Sequence, residues 1–176
     1  MLRVNRILCD ILATALEFAT APSGKVLQVV STTKTDTFTL STGGTFTDVT
    51  GLSASITPSS ASNKVWVIFS VNVSNSVGSI LKLRLVRAST DICLGDTAGD
   101  RKRSTVGNYN GVGNDAHIQT MASNFLDSPN TTSATTYKIQ IETENASMYV
   151  NRNARDNNAS GEMRSTSTIT LMEIAA

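Results

Sequence analysis

Histidine, cysteine, aromatic residues and charge are all scarce in this sequence, and each scarcity closes a route. There is one histidine, His117, so no His-x-His or His-x-x-x-His pair exists to hold zinc. A Ser-His-Asp triad would have to be built on His117, and nothing around it favours one. The residue reads as a strand histidine in polar surroundings. The two cysteines, Cys9 and Cys93, lie far apart in segments of different character. A bridge between them is not required, and they read as free, partly buried thiols of a chain made in a reducing cytoplasm. Aromatic residues are 5% of the chain against 40% hydrophobic, so the core must rest on Val, Ile and Leu. Charged residues are 16%, below the usual quarter or so, and the net charge is +1. No global field therefore points to nucleic acid or an acidic membrane. Apolar runs stay short of the roughly 20 residues that span a bilayer, so membrane insertion is not expected. The opening MLRVNRILCDILATALEF has the early arginines of a signal peptide, but Asp10 and Glu17 interrupt its apolar content.

What is abundant is Ser, Thr, Asn and β-branched aliphatics. Thr tolerates a half-exposed pleat, so this mixture suits strands with neutral faces. A length of 176 residues fits one β domain preceded by a short segment. The division falls at residues 1–23 and 24–176. In the first part, Val4, Leu8, Ile11, Ala15 and Phe18 recur in steps of four and three and form one helical stripe, widened by Ile7 and Leu12. Asp10 as an N-cap could begin a shorter helix, and LRVNRI could instead be a brief strand. An apolar helix this short has little stability alone, so its stripe is expected to bury against a sister chain or the β domain. Pro22-Ser23-Gly24 closes the segment.

From Lys25 the period is two. KVLQVVS opens the series. TDTFTL and GTFTDV flank Gly43-Gly44 as a hairpin signal. LSASIT has one thin apolar face (Leu52, Ala54, Ile56) and reads as a rim strand. KVWVIFSVNVS places Val65, Val67, Phe69, Val71 and Val73 on one face and Trp66 and Ile68 on the other. That pattern reads as a central strand with both faces covered at its start and one at its end. ILKLRLVR sends Leu81, Leu83 and Leu85 inward and Lys82, Arg84 and Arg87 to solvent or a neighbouring subunit. The long polar stretch after Gly95 reads as exposed loop with a short strand near Val106 to Tyr109. HIQTMASNFLDS, TTYKIQIETE, SMYVNR and STSTITLMEIA complete about eight to ten strands with no internal repeat. The predicted fold is all-β: an antiparallel β-sandwich, jelly-roll-like, carrying a short helical attachment segment.

Chemistry-bearing constellations are thin. Asp96, Asp100 and Asp115 could supply a glycosidase-like pair, but loop aspartates cap turns, and Asp36 and Asp48 read the same way. The glycines of GNYNGVGND do not link a strand to a helix, so they make no phosphate cradle. The basic cluster Arg101-Lys102-Arg103 is a solvated loop tip or a contact for anionic sugar or phosphate. NRNARDNNASGE gathers Arg152, Arg155, Asp156 and several amides, with Tyr149 as the nearby aromatic. The residues named for outward contact are Arg101, Arg103, Tyr109, Arg152 and Arg155; those named for docking are Val4, Leu8, Ile11 and Phe18. No catalytic, cofactor-binding or metal-ligating set is expected.

The ordered blocks GKVLQVVSTTKTDTF, FTDVTGLSASITPSSASNKVWV, FLDSPNTTSATTYKIQI, YVNRNARDNNA and STSTITLMEIAA resemble small tail-fibre-like proteins of phages of cyanobacteria and other aquatic bacteria. The resemblance covers Gly24 to Ala176, where such blocks form a C-terminal β domain. It implies a virion component, homotrimeric, held by tail or baseplate proteins and taking part in host adsorption, with host-surface polysaccharide as a partner. Members often carry the domain on a shaft, whereas about 23 residues precede it here. A short fibre, a fibre tip held by another protein, or a capsid decoration or head-fibre protein stabilising the shell would each accommodate that difference.

Overall fold

The structure is a computed structural model and describes residues 23–76, 78–109 and 115–176. The expected stripe of Val4, Leu8, Ile11 and Phe18, and Cys9 with it, lie outside the described residues. Eleven strands follow: β1 (Val26–Lys34), β2 (Phe38–Leu40), β3 (Thr47–Ile56), β4 (Lys64–Asn75), β5 (Ile80–Arg87), β6 (Thr90–Ile92), β7 (Val106–Tyr109), β8 (Gln119–Asp127), β9 (Thr135–Thr143), β10 (Met148–Val150) and β11 (Ser167–Ile174). The described residues contain no helix.

The long strands pair in a nested order. The first joins the last (β1 with β11), then β3 joins β9, β4 joins β8, and β5 joins β7, all antiparallel. The chain is thus one long antiparallel ribbon, its tip at the loop between β5 and β7, rolled so that alternate pairs fall in opposite sheets. Sheet A holds β1, β11, β4, β8, β10 and β2; sheet B holds β3, β9, β5, β6 and β7. This rolled ribbon is the jelly-roll form of an antiparallel sandwich.

Alternation decides what lies between the sheets. Val65, Val67, Phe69, Val71 and Val73 from β4 meet Leu81, Leu83 and Leu85 from β5, Ile139 and Ile141 from β9, and Ile169 and Leu171 from β11, each at most 1% exposed. Burying such a side chain stabilises by about 1.5–3 kcal/mol, so this aliphatic layer supplies most of the drive to fold. β3 sits at the edge of sheet B with Leu52, Ala54 and Ile56 inward, as its thin apolar face predicts.

Several expectations need correction. β4 is central, flanked by β11 and β8, but its outer face is open where it begins: Trp66 is 39% exposed. Its end is the covered part: Ser74, in phase with Trp66, is fully buried with its hydroxyl on the Arg152 carbonyl of the segment after β10. The Gly43-Gly44 segment is no hairpin. β2 pairs with β10 in sheet A while β3 belongs to sheet B, so these glycines carry the chain across the sandwich. A Cβ on Gly43 would stand inside contact distance of the Thr143 and Glu144 carbonyl oxygens, which explains glycine there. His117 is an exposed loop residue before β8, not part of the strand. Arg87 faces inward rather than to solvent: its guanidinium donates to both carboxylate oxygens of Asp127 at 2.8 Å, and the Tyr137 hydroxyl donates to the same carboxylate at 2.7 Å. The short β6, pairing with the end of β5, escapes the pattern reading.

Candidate functional site

Register places the features of interest at two opposite poles. β4 runs 12 residues from Lys64 to Asn75, a span of roughly 36 Å. Val26 of β1 pairs with Ile174 of β11, which pairs with Lys64, so the described chain begins at the Lys64 pole. Backbone bonds from Gly24 to the Ala175 carbonyl (2.8 Å) and from Ala175 to the Lys25 carbonyl (2.9 Å) pin this entry against the C-terminal strand.

The opposite pole gathers the loop residues. Met148 pairs with Asn75, Gln119 pairs with Val73, and Ser74 donates to the Arg152 carbonyl at 2.8 Å. Tyr109 pairs with Ile80 at the start of β5. The loop after β10 is held at its root by Asn151, a buried residue at φ 63°. Asn151 donates to the Lys34 and Asp36 carbonyls at 2.9 Å each, and its side-chain oxygen accepts from Ser167 at 2.6 Å. Asn tolerates this left-handed conformation better than most residues, and here its amide ties three segments together.

Within that loop the arginines are occupied by one another's counter-ions. Arg152 lies 3.9 Å over the Tyr149 ring and 3.1 Å from Asp156. Arg155 reaches Glu162 at 2.6 Å and Asp115 at 3.9 Å, and Arg164 bonds Asp156. The hydrogen bond from Arg164, with Arg152 beside it, holds the Asp156 carboxyl below the usual range. The result is a tight ion-paired loop. Its outward groups are the flanks of Arg155 and Arg164, together with exposed Met163.

The second basic cluster lies on the flank of sheet B. Lys102 donates to Glu142 at 2.9 Å and to the Gly44 carbonyl at 2.6 Å, while Lys82 reaches the other Glu142 oxygen at 2.7 Å. Burial opposes ionisation of Glu142, but the two lysines outweigh it and lower its pKa. The cleft here is lined by Lys82, Arg101 and Lys102 and also by Asp100, Glu142 and Glu144, so its charges cancel. Arg101 bonds the Ala98 carbonyl at 3.2 Å, and Arg103 bonds the Gly95 carbonyl at 2.6 Å. Neither cluster is a bare cationic patch. Of the five residues named for outward contact, Arg101, Arg103, Tyr109 and Arg155 are exposed, Tyr109 at 62%, and Arg152 is half-buried.

The structure brings Tyr109, Arg152 and Arg155 to one pole and sets Arg101 on its flank, while Arg103 stands apart beside Gly95. Pattern reading missed Lys82, Lys102 and Glu142 as a unit. Lys82 and Glu142 are cross-strand partners on β5 and β9, a pairing that requires the register. Among the described residues no group of three His, Cys, Asp or Glu converges as a metal cage, and no helix is long and apolar enough to cross a membrane.

No protein-family model matches the chain, and no curated protein matches it. Solved structures with a similar course include a chain of infectious bursal disease virus, Gx strain, at 18% identity and TM-score 0.45, covering 88% of this chain and 38% of that one. A chain of the T13 viral particle of the same virus gives the same identity and TM-score, with 88% and 37% covered. This protein thus spans well under half the length of either. Likeness of that order stands beside the fold description without adding a role to it.

Proposed function

We propose that this chain is a non-enzymatic virion structural protein, a short tail fibre or fibre tip that takes part in host adsorption as a homotrimer. The observation that carries the reading is polar separation. The chain enters the sandwich at one pole, and the Arg152–Arg164 loop and Tyr109 stand at the other, roughly 36 Å away. A protein held by its leading segment would present that far pole outward. The resemblance of the Gly24 to Ala176 blocks to phage fibre domains points the same way.

The far pole suits weak, neutral contacts. It offers an exposed aromatic for stacking on a sugar ring, with amides and partly exposed arginine edges beside it. Its charges are internally matched, so affinity would come from several copies acting together rather than from one strong site. Residues 1–23 would supply the attachment to tail or baseplate proteins, through Val4, Leu8, Ile11 and Phe18.

Purified full-length protein should bind host cells and compete with phage adsorption. Absence of binding, together with loss of heat resistance in particles lacking the protein, would overturn the fibre reading in favour of a shell-stabilising role. Release of reducing sugar from host polysaccharide would overturn its non-enzymatic part.

A further inference from the structure

The outer faces of the two sheets differ in kind. On sheet B the outward side chains are ion-paired: Lys82 with Glu142, Arg84 with Asp91, and Lys138 with Asp48, with Arg84 also 4.2 Å over the Phe46 ring. On sheet A, Val29 pairs with Met172, Met172 with Trp66, and Trp66 with Leu126, making one straight apolar row across four strands. Val29 is 56% exposed, Trp66 39% and Leu126 55%. The next row is Ser31, Thr170, Ile68 and Asn124; the one after is Thr33, Thr168, Ser70 and Ala122. None of these twelve side chains carries a charge.

The polar groups of this face are also satisfied sideways. Ser31 and Thr170 share a hydrogen bond at 2.8 Å, Trp66 donates to Asn124 at 3.4 Å, and Thr120 donates to Asn72 at 2.6 Å. Covering these three rows would therefore strand no charge and few unmet donors, the usual costs of burial; Lys64, one row nearer the entry pole and donating to Ser128 at 2.8 Å, borders them. A contiguous exposed apolar row of this kind is what a protein interface presents before its partner arrives.

We propose that the outer face of sheet A, centred on the Val29–Met172–Trp66–Leu126 row, is where a second copy of this chain docks. Three features favour a copy over another occupant. The three rows are uncharged and so meet their own kind without repulsion, Lys64 standing at their margin. It is about 19 Å wide across four strands, whereas a lone helix covers about 10 Å. The row also lies at the pole where the described chain begins, beside exposed Val26 and Leu27, so parallel copies would set residues 1–22 side by side. With eight residues along each strand the face offers about 500 Å² per copy, below the ~800 Å² of a standard interface. The contact should accordingly be reversible on dilution unless the N-terminal segments add to it.

The chain has a single tryptophan, so Trp66 reports directly on the face. Sedimentation velocity on the full-length protein should show an oligomer, with Trp66 emission moving to longer wavelength as it dissociates. Trp66→Ser and, separately, Leu126→Lys should weaken self-association about thirtyfold or more while leaving the far-ultraviolet circular dichroism of the fold unchanged. Two substitutions on different strands guard against one of them unfolding the chain. An oligomer untouched by both would overturn the proposal, and so would a monomer. In the monomer case, shielded Trp66 emission would show the chain's own first 22 residues on the face, and exposed emission would show no occupant at all. The inference shares only the oligomer with the proposed function: a monomer that still competes for host cells would sink this inference and the trimer while leaving adsorption standing, and an oligomer that binds no cell would sink adsorption alone.

Discussion

Glu173 shows how one residue can be decided by its partners. It is 1% exposed at the seam between the β11 end and the β3–β4 turn, and four donors surround it. Gln28 donates to one oxygen at 2.5 Å; the Ser59 backbone and hydroxyl (2.7 Å each) and Asn63 (2.6 Å) donate to the other. Burial alone would raise its pKa, but these hydrogen bonds outweigh burial and hold it at about 2, below the ordinary 4.5. Because the folded value is depressed, the stabilisation is complete above the unfolded value and is lost as pH falls toward 2. The loss should reach about 3 kcal/mol. Thermal melts from pH 6 to pH 2 should therefore show an acid decline that Glu173→Gln flattens; an identical decline in the variant would contradict this. Asp127 poses the complementary case, since it is 5% exposed and depends on Arg87 and Tyr137. Arg87→Ala should cost about 3 kcal/mol by leaving a buried carboxylate unpaired, and Arg155→Ala, on the ion-paired loop, under about 1 kcal/mol. Denaturant titrations of both variants test that contrast. The partners were not legible from spacing, because Glu173 and Asn63, like Arg87 and Asp127, are brought together only by the rolled ribbon; the inward side of Arg87 was, since it stands in phase with Leu81, Leu83 and Leu85.

At the scale of elements, period-two patterning located most of the strands, and the inward sets of β4, β5 and β9 follow it residue by residue. The exceptions share a cause. β6 is three residues long, too few alternations to show a face, and goes unread; the equally short β2 and β10 fall within TDTFTL and SMYVNR, but their partners do not show in so few residues. The Gly43-Gly44 signal predicts a hairpin because turn chemistry marks a reversal without saying which sheet receives the next strand. Gly43→Ala should test the observed crossing, since any side chain there meets the Thr143 and Glu144 carbonyls; a drop in melting temperature of several degrees is expected, and none would mean the crossing loop gives way freely. Alternation sets Trp66 opposite Val65 and Val67, and an apolar run on both faces predicts cover for each. The register instead sets it outward, in line with Met172 and Leu126. For the leading segment the expectation stays as the sequence framed it: Ile11→Asp should disrupt assembly or docking, because a carboxylate in an apolar seam is costly, and light scattering that shows an unchanged oligomer would refute it.

At the scale of the molecule, one rolled ribbon gives two faces and two poles, each of different chemistry. Sheet B is charged and self-paired outward; sheet A carries an uncharged centre with an apolar row, bordered by Lys64. The chain enters at one pole, beside the β3–β4 and β8–β9 turns, and the loop after β10 stands with Tyr109 at the other. The fold class was legible in the sequence because alternation and turn signals carry it directly. The candidate contact residues were legible only as a list, since whether an arginine faces a ligand or its own Asp156 depends on loop closure. The central claim is that the entry pole attaches and the loop pole faces outward on a tail structure. Immunogold electron microscopy of intact particles, with an antibody raised against the 152–164 loop, tests it most directly. Label at the tail, on the surface farthest from its attachment, is the predicted result; label spread over the shell, or none on intact particles, would contradict it.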